Sequence, residues 1–134
     1  MPTYRLSAAA EADIVELLVY TQERFGDVAR QRYEALLVAA LRDIAADPHR
    51  PGSVARPELG RAVRSYHLRH SRGRARTPDG LVRRPRHLLL YRTVRPDLIG
   101  VGRVLYDGME LERHVPRAYG DEATMIGPLG RRPR

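Results

Sequence analysis

Residues 87–106, HLLLYRTVRPDLIGVGRVLY, decide the architecture. His87 to Val94 is an apolar run of strand length, which reads as a central strand buried on both faces. Arg95-Pro96-Asp97 is a turn. Leu98 to Tyr106 then alternates: Ile99, Val101, Arg103 and Leu105 share one face, and Gly100, Gly102, Val104 and Tyr106 the other. A sheet built from strands of this kind needs a covering layer.

Upstream, Val63 to His70 predicts another strand, with Tyr66 and Leu68 on one face. It is joined to the central strand by residues 71–86, SRGRARTPDGLVRRPR, which read as a basic, flexible hairpin-loop insertion with no apolar face to anchor it. Residues 47–62 are rich in Pro and Gly and predict a connection without regular structure. The covering layer lies further upstream. After a short strand at Thr3 to Leu6, Ser7 predicts the N-cap of a helix from Ala8 to Phe25, with Ala10, Ile14, Leu17, Leu18, Thr21 and Phe25 towards one face. Gly26 is the expected C′ residue and Asp27 the expected cap of a second helix to Ala46, whose stripe is Tyr33, Leu37, Ala40, Leu41 and Ile44. With only Gly26 and Asp27 between them, the helices should form an antiparallel hairpin. The order β-α-α-β-β-β predicts an α+β fold of two layers, the N-terminal strand and αα-hairpin packed on a small antiparallel sheet. One domain over residues 1–115 is expected, followed by a loose tail at 116–134.

Charge is segregated along the chain. Residues 61–95 hold eleven arginines against one acid, Asp79, while residues 1–60 carry seven arginines and nine acids. That distribution points to an anionic partner: nucleic acid, an enzyme that handles it, or an acidic protein. All 24 basic residues are arginine, so any mechanism in which a lysine moves a proton is excluded. Cysteine is absent, which excludes disulfides and thiolate metal sites. The longest apolar run, Leu36 to Leu41, is too short to span a bilayer, and the N-terminus lacks a cleavable signal pattern, so a cytoplasmic location is expected.

Individual residues stand out against this background. Arg103 alternates with apolar neighbours, so it must either pair with a carboxylate or open onto a cleft. Arg64, opening the neighbouring strand, carries the same two readings. His67, His70, Tyr91, Tyr106 and His114 could supply acid–base groups, but Tyr91 reads as core and the two strand histidines have no acid close in sequence to orient them. Nor do the five histidines show a metal-ligand spacing. Val15 and Val19, with Leu18, widen the apolar face of the first helix beyond what one sheet contact needs, which is either a broadened core or a groove for a partner helix.

Three stretches together resemble the ParE branch of the RelE/ParE toxin superfamily: LSAAAEADIVELLVYTQERFG at 6–26, Arg64-Ser65-Tyr66, and His87 to Arg92 followed by Ile99 to Leu105. The resemblance implies the toxin of a type II toxin–antitoxin pair, held inactive by a cognate ParD-like antitoxin, that inhibits DNA gyrase by protein–protein contact without a cofactor or a reaction of its own. Arg64, Arg92, Arg103 and Tyr106 would then meet the target or partner, and Val15, Leu18 and Val19 the antitoxin, with any contact to nucleic acid indirect. Tyr106 to Glu110, YDGME, departs from the family's His-Gly-Arg-type turn. The alternatives are a RelE-like ribosome-dependent mRNA endonuclease and a non-toxic antitoxin-binding relative.

Overall fold

The computed structural model describes residues 3–109 and the strand at 125–128. Its elements run β1 (Thr3–Ser7), α1 (Ala8–Phe25), α2 (Asp27–Ala46), β2 (Ser53–Ala55), β3 (Arg64–His67), β4 (His87–Arg95), β5 (Leu98–Tyr106) and β6 (Met125–Pro128), with 3₁₀ turns at Pro57–Leu59 and Leu68–Arg74. The fold is α+β, as the element order requires. The sheet has the order β2-β3-β4-β5-β1-β6. β2 to β5 are antiparallel, whereas β1 inserts beside β5 in parallel, Thr3 opposite Leu98 and Leu6 opposite Val101. The N-terminal strand, expected to pack with the hairpin on an antiparallel sheet, is thus itself a member of the sheet, which is mixed. Residues beyond Met109 other than β6 lie outside the described residues, and so do His114 and most of the expected tail.

Ser7 ends β1 and starts α1 with one hydroxyl. Its oxygen accepts from the Ala10 amide at 2.9 Å, as an N-cap should, and its proton goes to the Gly102 carbonyl at 2.6 Å. The helix is thereby fastened to β5 at its first residue. Gly26 takes φ 93° between the two helices, where a side chain would be strained. Asp27 does not cap α2: Gly26 occupies the N-cap position, and the Asp27 carboxylate instead accepts from the Gln22 amide at 2.6 Å.

The α2 stripe is buried as its spacing predicts, together with Leu36 and Ala45. β4 is covered on both faces. Leu89 and Tyr91 join the helix-side core with Leu37, Leu41 and Ile44, whereas Leu88 and Leu90 meet Leu59, Val63 and Leu105 on the opposite face. The expected alternation along β5 breaks at Gly102, because Tyr91 pairs with Val101 but Leu90 with Arg103. This bulge returns Val104 to the helix side with Ile99 and Val101, and sends Leu105 to the other face.

Four further expectations are corrected. β3 stops at His67, and the chain turns into a 3₁₀ segment at Leu68 rather than continuing as strand to His70. The 47–62 connection contains β2, whose three residues pair with β3. Phe25 is not core; it is 67% exposed. The insertion at 71–86 is anchored at its start: Ser71 and Ala75 are buried, Ala75 in the main core. The anchor is Asp43, itself buried on α2. It accepts from Ser71 Oγ at 2.6 Å and pairs with Arg50 and Arg74, each at 3.1 Å.

Candidate functional site

The turn end of the helical hairpin, the 81–87 segment and the end of β5 line a cavity of about 860 Å³. Leu17, Thr21 and Val104 give it an apolar base. Tyr20, Phe25 and Tyr106 stand exposed around it, and Arg32, Arg83, Arg84, Arg86 and Arg103 line it as cations. Asp13 and Glu16 are the carboxylates in its wall.

Arg103 satisfies both requirements read from its position. Its Nε and Nη2 donate to the two oxygens of Asp13 at 2.7 and 2.9 Å, and the same carboxylate accepts from the Val104 amide at 2.9 Å. Asp13 thus caps the edge of β5 where β1 has already ended. The hydrogen bond from Arg103, outweighing the cost of burial, holds the guanidinium more firmly charged than usual.

Tyr33, on α2, faces His87, at the start of β4. The Arg86 amide donates to the Tyr33 hydroxyl at 3.1 Å, and that hydroxyl lies 2.7 Å from His87 Nδ1. A hydroxyl that accepts the amide proton is oriented to donate its own to Nδ1, which leaves the imidazole proton on Nε2. Burial lowers the His87 pKa to about 4, so the ring is neutral near pH 7, and burial pushes Tyr33 up to about 12. A second cluster adjoins. Asp107 accepts from His67 Nε2 at 2.9 Å and from Arg86 at 3.0 Å, and it sits below the usual carboxylate range because of the Arg86 hydrogen bond. His67 Nδ1 accepts from the Arg69 amide at 3.1 Å. So His67 does have an acid to orient it, supplied from 40 residues away. Arg86 also lies over the Tyr106 ring, 4.9 Å from its centroid. Both imidazoles therefore carry a hydrogen-bonded Nδ1 and a proton on Nε2, and neither presents a vacant acceptor nitrogen to the cavity.

The residues singled out from sequence fall in three places. Arg103 and Tyr106 line the cavity. Arg64 is on β3, where Nε donates to Ser53 Oγ at 2.7 Å, and Arg92 is on β4 opposite Gly100; neither lines the cavity. Val15 and Val19 do not adjoin the core stripe. At roughly 100° per residue they lie about 160° to either side of Leu17, and they are 58% and 50% exposed. Leu18 is half-buried and packs against the core. Asp13, Tyr33, Arg86, His87 and Asp107 were not picked out as site residues. Tyr33 appeared only as one member of a helical stripe, and nothing local marks Asp13 or Asp107 as a partner.

An arginine-lined cavity and, on the far side of α1, the exposed Val15 and Val19 thus stand on a small two-layer α+β scaffold. The family model for the ParE toxin of type II toxin–antitoxin systems, parDE, matches residues 4–111, and the chain belongs to this family. A search of curated proteins finds no match. Among the described residues, no helix is long and apolar enough to cross a membrane.

Proposed function

We propose that this chain is a toxin that inhibits DNA gyrase by protein–protein contact and is neutralised by a cognate, ParD-like antitoxin. The observation that carries the reading, beyond family membership, is that α1 exposes Val15 and Val19 on the side turned away from Leu17, while its other side helps to line a cation-lined cavity. The antitoxin segment that fits is amphipathic and acidic. Its apolar side covers Val15, Leu18 and Val19, and its carboxylates reach the cavity arginines, including Arg103. Apolar burial supplies most of the affinity, at about 25 cal/mol per Å² before association costs, and the arginines supply steering and register. Arg64, Arg92, Arg103 and Tyr106 remain the proposed contacts to target or partner.

The RelE-like nuclease reading is less well supported. Metal-free RNA cleavage needs a group positioned to take a proton, and Nδ1 of His87, the imidazole that lines the cavity, is already engaged by Tyr33. The test is to express the chain alone and assay purified gyrase and translating ribosomes side by side. Growth arrest with gyrase-dependent DNA cleavage, relieved by the antitoxin, is expected. Codon-positioned mRNA cleavage with normal supercoiling would overturn the proposal.

A further inference from the structure

The arginines of the β3–β4 connection divide into two sets. Arg74 and Arg86 are structural: they pair with Asp43 and Asp107. Arg69, Arg72, Arg76, Arg83 and Arg84 are exposed, and none has a carboxylate partner among the described residues. They are displayed on a braced frame. Asp43 holds Ser71 and Arg74 against α2, Arg72 Nη1 donates to the Arg83 carbonyl at 2.5 Å and so ties the two limbs together, and Thr77 and Gly80 exchange backbone hydrogen bonds of 2.9 Å at the tip. Arg32 on α2 donates to the Asp79 carbonyl.

The chemistry of this surface differs from that of α1. A protein partner needs a dry apolar centre with anchoring side chains. Residues 68–86 expose no large apolar side chain; those stand on α1, the start of α2, β2, the outer end of β4 and the end of β5. What the connection offers is guanidinium alone, with forked donors matched to phosphate oxygens. We propose that the β3–β4 connection is a nucleic-acid contact, in which Arg69, Arg72, Arg76, Arg83 and Arg84 engage the phosphate backbone without reading sequence. The toxin would then present two faces, an apolar one on α1 for protein and a cationic one on the connection for a polyphosphate strand, and Arg83 and Arg84, which also line the cavity, belong to both.

Fluorescence anisotropy of the full chain with a short labelled DNA duplex, and with a single strand of the same sequence, tests this. If all five arginines meet phosphates, log affinity falls against log salt with a slope of about −4.5 on duplex and about −3.5 on single strand. Between about 50 and 200 mM salt, duplex affinity then drops roughly five-hundredfold. The arm with the tighter binding identifies the source of the phosphates. Replacing all five by Gln should abolish the binding while leaving the circular dichroism unchanged. Should that variant unfold, Arg83→Gln with Arg84→Gln should lower the duplex slope by about 1.8. An unchanged slope in a folded variant, no salt-dependent binding by the parent, or equal displacement by polyglutamate of matched charge would each overturn the proposal, the last in favour of an acidic protein.

Discussion

Arg103 is the residue whose dilemma was legible from sequence and whose solution was not. Alternation among Ile99, Val101 and Leu105 showed that the charge needs a partner, but the partner, Asp13, lies 90 positions away on a helix, and local periodicity carries no information over that span. Asp13→Ala leaves Arg103 and the Val104 amide without their acceptor. It should cost about 2–4 kcal/mol, somewhat less than the roughly 3–5 kcal/mol for breaking a fully buried pair because both side chains keep some exposure, read from urea unfolding. Replacing both residues together, Asp13→Leu with Arg103→Met, should recover most of that loss, since apolar isosteres often match a buried pair. His87 gives a pH signature. Its folded pKa, about 4, lies below its ordinary 6.5, so between those values the unfolded chain binds the proton and the folded chain does not. The contribution of neutral His87 is complete above pH 6.5 and is lost progressively down to about pH 4, amounting to roughly 1–3 kcal/mol after allowance for partial exposure. His70, whose pKa is also lowered by burial, adds in the same direction. A stability profile of His87→Phe should be flatter across that window than the parent's; parallel profiles would assign the slope to other groups.

At the level of elements, the helical hairpin was readable because its signals are local: a hydroxyl cap at Ser7, a glycine at the turn and stripes of period 3.6. β4 was readable as a strand buried on both faces over Leu88–Tyr91, where it is apolar without a break, whereas its outer end from Thr93 is exposed. β2 was hidden by the Pro and Gly around it, and the early end of β3 was hidden because Leu68 suits a strand and a buried 3₁₀ turn equally well. The β3–β4 connection misled for another reason. Its arginines outnumber its acids, so it reads as self-repelling, but the acid that restrains it, Asp43, belongs to α2. Two deletions separate the parts of this segment. Excising the tip at 77–80 should shift the melting temperature by no more than a few degrees, whereas replacing all of 71–86 by Asn-Gly removes Ser71 and Ala75 from their buried sites and should lower it by ten degrees or more, about 2 kcal/mol for a domain of this size. On α1, Val15→Asp with Val19→Asp alters side chains that are 58% and 50% exposed. The variant should stay folded and bind the antitoxin at least about tenfold more weakly, a loss of about 1.4 kcal/mol, by titration calorimetry. Unchanged affinity would move the proposed interface off this face.

For the whole molecule, the order of strands matters more than their number. β1 is made first but lies between β5 and β6, with its parallel partner beginning 95 residues later, Thr3 opposite Leu98. Long-range pairing of this kind is slow, because the intervening chain must be gathered before the contact stabilises anything. It also sets a schedule for synthesis. At about 5–20 residues per second, roughly 5–20 s separate the appearance of β1 from that of β5. Throughout that interval the sheet under the helical hairpin lacks β5, which must join β1 to β4, and Asp13 has no Arg103 to hold. A nascent chain stalled before Leu98 should therefore be cleaved readily by protease, and one stalled well after Tyr106 should resist. On the ribosome the two proposed surfaces therefore arrive at different times: the α1 face with Val15 and Val19 early, and the cavity only when β5 brings Arg103 to Tyr106 into its wall.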